Sequence, residues 1–336
     1  MLSYNMNASK DTVNWALAGT GFICNKFLEG LRAAGGHAKA IVSRTQEKAE
    51  EFAAQKGIEK AYSNYELMLE DKSIDVVYIG TPHTSHKDLA VSALNAKKAV
   101  LCEKPAAVNS REMEEILLAA RENNVFYMEA MWTRFLPPLQ KTREWLSQGI
   151  IGEIKMVQSN FGFRADYDPK NRLFDLNLGG GALLDVGIYP LSIISMIFGG
   201  EEPIEIKSQL NFGESGVDEE DAVILSYSQD RIASVSAAIR TEMKNDTWVY
   251  GSKGMIHIPD YIFAHSASLI REGKEPYHYL PEIISNGYNY EAEEVMNCIR
   301  DGKTESPVMT LNESLLIMKT MDRIRSQWNY RYPCEC

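Results

Sequence analysis

Apolar positions in this chain switch between two spacings. Residues 13–18 (V-N-W-A-L-A) form a short apolar run that stops at Gly19-Thr20-Gly21. Ile23, Phe27 and Leu31 then recur four apart, as on one face of a helix. A second apolar run over 38–42 ends at Ser43-Arg44. The same rhythm continues, with a helix predicted over 45–56 and a short one over 65–70. A buried-type strand over 74–79 halts at Gly80-Thr81-Pro82, and a helix over 86–96 and a strand over 99–102 follow. A helix is predicted over 110–123, with Ser110 as its N-cap and Met113, Ile116, Leu117 and Ala120 on one face; a strand over 125–128 comes next. Strands alternating with helices of this length predict a parallel, doubly wound sheet.

The texture changes after about Trp132. Pro137-Pro138 breaks the pattern, and a helix is expected over 139–148. Strand-like runs follow at 154–164, 204–212, 222–227, 232–239, 247–250, 255–258 and 268–271. Turn signals at Ser228-Gln229-Asp230 and Ser252-Lys253-Gly254 predict hairpins. Helices are expected over 290–300 and 312–327, the second capped by Asn312. The fold class is therefore α/β: an N-terminal Rossmann doubly wound sheet over 1–131, then an α+β domain over 132–336. The second domain is expected to hold a mostly antiparallel open sheet, covered by helices on one face. Ile232, Val235, Ala237 and Ile239 are apolar candidates for both faces. An exposed apolar sheet face predicts a homo-oligomer, most simply a dimer.

Bulk properties narrow the class. The 336 residues suffice for two domains, and 45% apolar with 24% charged content fits an ordinary globular protein. A net charge of −11 argues against nucleic acid or an anionic membrane as partner. Residues 1–11 are polar, without the apolar centre of a signal peptide. The longest apolar stretch, 181–200, is interrupted by Asp185 and Pro190, which argues against a membrane span. Five scattered cysteines, without C-x-x-C spacing, fit a reducing, cytoplasmic setting. The Cys334-Glu335-Cys336 tail matches no motif. The six histidines form no ligand cluster with acidic partners, so no metal is expected.

The first strand–helix–strand unit carries chemistry. Gly19 permits a tight turn, and Gly21 lets the backbone approach a pyrophosphate held on the helix N–H groups. Cys24 replaces the third glycine of the dinucleotide fingerprint. Where an NAD enzyme usually has Asp or Glu at the end of the second strand, this chain has Ser43-Arg44, with Lys48 four residues on. A hydroxyl and a guanidinium suit a 2′-phosphate, so NADP(H) is expected over NAD(H).

Two more segments stand out. The strand over 99–102 ends in Glu103-Lys104-Pro105, at the sheet end where ligands bind. Gly179-Gly180-Gly181 precedes Asp185 and Tyr189, which share a helix face if 182–189 is helical. That acid and phenol admit two readings: a buried hydrogen-bonded pair, or acid–base chemistry. In the second, the Lys104 ammonium is expected to lower the Tyr189 pKa.

Gly19 through Ile23, Thr81-Pro82-His83 with His86, Glu103-Lys104-Pro105 and Asp185 through Tyr189 resemble the glucose–fructose oxidoreductase / inositol dehydrogenase (Gfo/Idh/MocA) family. The resemblance covers nearly the whole chain. Met128 through Phe135 and Gly180 through Asp185 are similar in particular to the dimeric trans-dihydrodiol dehydrogenases. The inositol dehydrogenase branch usually has His where this chain has Tyr189, which points away from inositol. The resemblance implies Lys104 and Tyr189 as the catalytic pair and Asp185 as the residue that orients substrate. It implies a cofactor cleft drawn from Gly19, Thr20, Gly21, Phe22, Ile23, Ser43, Arg44, Lys48, Thr81, Pro82, His86, Glu103 and Lys104, with His86 capping the loop beside the cofactor. Trp132, Arg134 and Phe161 are candidates for the cofactor cleft or the substrate pocket, and each could equally be structural. A sugar, polyol or cyclic diol is the implied substrate. The competing class is a dinucleotide-sensing regulator of the same fold without catalysis.

Overall fold

The computed structural model describes residues 12–335; the polar segment Met1–Asp11 and Cys336 lie outside the described residues. The first sheet is built from β1 (Asn14–Ala18), α1 (Phe22–Ala33), β2 (His37–Val42), α2 (Gln46–Lys56), β3 (Lys60–Tyr62), α3 (Tyr65–Leu69), β4 (Val76–Ile79), α4 (His86–Asn95), β5 (Ala99–Glu103), α5 (Ser110–Asn123) and β6 (Tyr127–Ala130). Its six strands run in the order β3-β2-β1-β4-β5-β6, all parallel. β4, β5 and β6 are buried at every residue, as strands covered on both faces must be. The strand order reverses between β1 and β4, so a crevice opens there at the carboxyl ends.

Three helix starts differ from the sequence reading, the first two in α5 and the helix that follows β6. Asn109, not Ser110, caps α5: its backbone is extended, and its side chain accepts from the Glu112 N–H at 2.9 Å. Ser110 is already helical, so its hydroxyl cannot fold back on that donor. Pro137-Pro138 opens α6 (Pro137–Ser147) instead of breaking the pattern, because the first helical positions need no intrahelical N–H.

The second sheet contains β7 (Ile154–Gly162), then, after α7 (Ile188–Ile197), β8 (Glu205–Phe212), β9 (Asp218–Tyr227), β10 (Arg231–Ala238), β11 (Thr247–Gly251), β12 (Gly254–Ile258), β13 (Ala267–Ile270) and β14 (Tyr277–Tyr279). The order is β14-β13-β12-β11-β7-β10-β9-β8, antiparallel apart from the β7–β10 pair. β9 begins at Asp218, before the apolar alternation starts, because Asp218 and Asp221 are themselves buried. The short strands β3 and β14 carried no alternation to read.

Val235, Ala237 and Ile239 all turn inward, whereas Ile232 is 43% exposed on the open face. In register, Met255, Tyr250, Met156 and Ile232 form one row across β12, β11, β7 and β10. The opposite face is covered by α7. The apolar stretch Leu176–Ile197 is buried inside the fold over most of its length, which makes it a core segment. Each of its fully buried large side chains, such as Ile193 and Ile194, contributes about 1.5–3 kcal/mol.

The last helices return to the first sheet. α8 (Tyr288–Arg300) packs on α1 and α9 (Leu311–Ser326) on α5 and α7. Gly30 permits the first contact: a Cβ there would stand 2.7 Å from the Asn289 nitrogen. Thr310 caps α9 by accepting from Glu313 N–H at 3.2 Å, which corrects the expectation for Asn312. Asn312 lies inside the first turn and accepts from Arg121 at 2.7 Å.

Candidate active site

Loops at the carboxyl ends of β1, β4, β5 and β6 meet the inner face of the second sheet around a cleft of about 440 Å³. Gly21, Phe22 and Ile23 line it after β1, Thr81, Pro82 and His83 after β4, Glu103 and Lys104 after β5, and Trp132 after β6. Phe161, Asp185, Val186 and Tyr189 face them from the second half.

The glycine turn fits a dinucleotide pyrophosphate. Gly19 has φ +113°, and a Cβ there would stand 2.8 Å from the Gly80 carbonyl oxygen. Open space surrounds the Cβ position of Gly21. No side chain caps α1, so its first N–H groups remain available to an anion. Cys24 is fully buried, with its sulfur 3.6 Å from the Gly80 carbonyl, and fills the place of the third glycine. Ser43 is half-buried at the end of β2, while Arg44 and Lys48 are exposed. Arg44 has no ion-pair partner among the described residues. Thr45 caps α2 through the Lys48 N–H at 3.4 Å.

Beneath the cleft, His86 ties two loops together. One ring nitrogen lies 2.8 Å from the Pro105 carbonyl and the other 2.8 Å from that of Thr81. Tyr78 donates to Glu103 at 2.6 Å. Burial raises the Glu103 carboxyl, partly offset by that bond and by Lys104.

Asp185 lies in a π-helical turn, Leu183–Gly187, that runs directly into α7 and Tyr189. The widened turn precedes Pro190, which has no N–H to return to it. Gly181 starts the turn with φ +117°; a Cβ there would lie 2.1 Å from Asp218 Oδ1. The other Asp218 oxygen accepts from Leu183 N–H at 2.5 Å. A buried carboxyl thus holds the backbone that carries Asp185.

Lys104 Nζ donates to the Asp185 carbonyl at 2.7 Å and to Asp185 Oδ1 at 3.2 Å. Arg172 Nη1 donates to the same Oδ1 at 2.9 Å. Burial alone would raise the Asp185 carboxyl; Lys104 and then Arg172 outweigh it and hold it well below the usual carboxylate range. His83 Nε2 stands 3.8 Å from that oxygen, and burial pushes its ring down to about 3, so it is neutral.

Tyr189 departs from expectation. The Lys104 ammonium lies 4.9 Å from the ring centroid, over the face of the phenol. Trp132 Nε1 donates to the Tyr189 hydroxyl at 3.3 Å. Burial pushes the phenol well above its ordinary value, and Tyr288 and Glu103 act in the same direction. The expected lowering by Lys104 is therefore not found, because the ammonium is held by Asp185.

Arg134 takes the structural one of its two readings, not the cleft. It is fully buried away from the cleft and donates to Ser192 Oγ at 2.7 Å, to the Val308 carbonyl at 3.1 Å and to Glu313 at 2.7 Å. Its five donors suit such a buried cluster, which clamps the Trp132 segment to α7.

Comparison with known proteins places this geometry. Residues 13–131 match the oxidoreductase family with an NAD-binding Rossmann fold, and residues 139–257 match the GFO/IDH/MocA C-terminal domain. The chain belongs to the Gfo/Idh/MocA family of oxidoreductases. It is 40% identical over 329 residues to the trans-1,2-dihydrobenzene-1,2-diol dehydrogenase of Xenopus laevis, covering 95% of this chain and 99% of that one. Two solved structures share the fold. One is a levoglucosan dehydrogenase complexed with NADH and levoglucosan (TM-score 0.86, 21% identity, 94% of this chain and 97% of that one). The other is a 3-ketoreductase from Actinomadura kijaniata in complex with TDP-benzene and NADP (TM-score 0.80, 22% identity, 94% and 98%).

Within this Gfo/Idh/MocA cleft, several lining residues were not among the site candidates. Phe163, Arg172, Ile262, Phe263 and Tyr288 all line it. Trp132 stacks on Tyr288 at 4.6 Å and lies 5.6 Å from Phe263, and Phe161 meets Tyr189 edge-on at 5.4 Å. Tyr288 and Phe263 come from segments distant in sequence and carry no local signal. Arg172 sits in a short segment without periodicity, and only the folded chain brings it to Asp185.

Proposed function

We propose that this oxidoreductase transfers hydride between NADP(H) and a hydroxyl-bearing carbon of a sugar or cyclic diol. The observation that carries the reading is the convergence of Lys104, Asp185 and Tyr189 at the mouth of a glycine turn suited to pyrophosphate. The bound nicotinamide supplies the hydride chemistry. Tyr189 exchanges the proton with the substrate oxygen: it receives it in oxidation and returns it in reduction. Lys104 holds Asp185 and faces the Tyr189 ring, which keeps the acid in place beside the phenol. Trp132, Phe161 and Tyr288 offer flat apolar surface to a ring.

Ser43, Arg44 and Lys48 support NADP(H) over NAD(H), since Arg44 is exposed at the end of β2 without an ion-pair partner among the described residues. In this reading residues 1–131 carry the cofactor and 132–336 the substrate. The row Met255, Tyr250, Met156 and Ile232 supports a homodimer formed through the open sheet face. Light scattering tests it: a single species near the 37.8 kDa chain mass excludes the dimer. The described cysteines, Cys24, Cys102, Cys298 and Cys334, are unpaired, which supports a reducing, cytoplasmic setting.

The experiment is a panel of sugars, polyols and cyclic diols with NADP+, read as the absorbance of reduced nicotinamide. Turnover of at least one hydroxyl compound is expected. Tight NADPH binding with no turnover across the panel favours a dinucleotide-sensing regulator instead.

A further inference from the structure

Among the described residues, the Tyr189 hydroxyl has one hydrogen-bond partner, and that partner can only donate. Trp132 Nε1 stands 3.3 Å from the Tyr189 oxygen. An indole N–H carries no acceptor, so the phenol oxygen accepts and its own hydrogen points elsewhere. No described residue takes that hydrogen. Both side chains are buried in the wall of the cleft, which leaves the Tyr189 O–H for a group that enters it.

The fold fixes the indole in this place. Its ring stacks on Tyr288 at 4.6 Å, with 18° between the planes. Gly287 admits that approach: it has φ +91°, and a Cβ there would stand 2.9 Å from Trp132 Cζ3. Arg134 lies two residues on in the same short turn and donates to Ser192 Oγ at 2.7 Å. Ser192 is three residues beyond Tyr189 on α7. The segments that carry indole and phenol are therefore tied to each other beside their contact.

The bond differs between the two charge states of the phenol. At 3.3 Å it is a long bond to a neutral oxygen. To a phenolate the same N–H donates a charge-assisted bond, shorter and about twice as strong. In oxidation the substrate O–H bond breaks and its proton joins the Tyr189 phenolate, while hydride passes from the carbon to NADP+. In reduction both return, and charge develops on the Tyr189 oxygen. A donor already directed at that oxygen stabilises the charged form and the transition state that carries part of its charge. Burial raises the Tyr189 phenol, and the Trp132 bond acts against it. Lys104 does not serve this hydroxyl, because its hydrogen bonds go to the Asp185 carbonyl and carboxylate.

We propose that Trp132 is a catalytic residue: its indole N–H stabilises the charge on the Tyr189 oxygen and directs the Tyr189 O–H toward the substrate. The inference rests on Tyr189 exchanging the proton with the substrate.

Two measurements test it, the first without turnover. Protein labelled with nitrogen-15 tryptophan should show five indole N–H signals, one per tryptophan, and the signal missing from Trp132→Phe belongs to Trp132. In Tyr189→Phe that signal should move upfield, as an N–H does when it loses its acceptor. An unmoved signal overturns the proposal. Steady-state oxidation of the best compound in the panel then compares wild type, Trp132→Phe, Tyr189→Phe and the double variant, each shown to bind NADPH. Trp132→Phe, which keeps an aromatic ring on Tyr288, should lower kcat roughly ten- to a hundredfold and move KM less than about threefold. In the Tyr189→Phe background the same change should alter kcat less than about threefold, because the N–H no longer has an oxygen to serve. A kcat within about threefold of wild type in Trp132→Phe overturns the proposal, whatever KM does, as does a kcat loss of equal size in both backgrounds. Those outcomes leave the Tyr189 assignment standing. Turnover in Tyr189→Phe within about threefold of wild type sinks the reading of the reaction, and this proposal with it.

Discussion

The Lys104 ammonium sits over the face of the Tyr189 ring, 4.9 Å from its centroid, while its hydrogen bonds go to Asp185. The cation is close enough to matter to the ring but is not aimed at the hydroxyl. Burial therefore dominates, and the phenol stays protonated well above its ordinary value. Such a group is prepared to donate a proton and must lose one before it can accept another.

That asymmetry predicts the pH dependence. For oxidation, kcat/KM should rise about tenfold per pH unit between pH 7 and 9, because the ionised fraction of a phenol with a raised pKa grows at that rate. For reduction it should stay nearly flat over the same range. A stopped series of initial rates in both directions checks this; an oxidation profile already level at pH 7 contradicts a raised Tyr189.

Cofactor choice turns on Arg44. Wild type should bind NADPH at least about tenfold more tightly than NADH, and Arg44→Asp should narrow or reverse the ratio, since a carboxylate repels a 2′-phosphate and accepts from a ribose hydroxyl. Fluorescence titration of both reduced cofactors decides. Tighter NADH binding by wild type removes the 2′-phosphate reading.

His83 makes stability depend on pH. Burial lowers its pKa to about 3, so the folded protein keeps the ring neutral while the unfolded chain protonates it near 6.5. Its contribution is complete above that unfolded value and is lost as pH falls toward the folded one. At pH 5 the loss is about 2 kcal/mol. His86, lowered in the same direction by burial, adds to the wild-type slope. Urea unfolding at pH 7.5 and pH 5 should show His83→Gln losing about 2 kcal/mol less than wild type between them. Equal losses in both proteins would refute a buried neutral His83.

The parts of this molecule that obey a period were legible in its sequence. The parallel sheet, its glycine turn and the strand end at Glu103-Lys104 follow from apolar runs that each stop at a marked residue. The cleft emerged from them because the strand order reverses between β1 and β4. Failures came where tertiary context overrides local pattern. Arg134 reads equally as a cleft residue or a structural one, and only Ser192, Val308 and Glu313 from distant segments, which bury it completely, decide for the second. Asp218 and Asp221 sit in an acidic run outside the predicted strands, but they pack inside the fold, and Asp218 holds the turn that carries Asp185. The Lys104–Tyr189 relation was right in proximity and wrong in geometry, since one pair of residue names cannot say whether a cation meets a ring's face or its hydroxyl.

Proton exchange at Tyr189 is tested most directly by Tyr189→Phe, which keeps the ring packed against Phe161 and removes only the hydroxyl. Steady-state turnover of the best compound in the panel should fall at least about a hundredfold, while NADPH affinity stays within about threefold of wild type. Turnover in Tyr189→Phe within about threefold of wild type, with the protein folded and NADPH bound, would contradict the assignment.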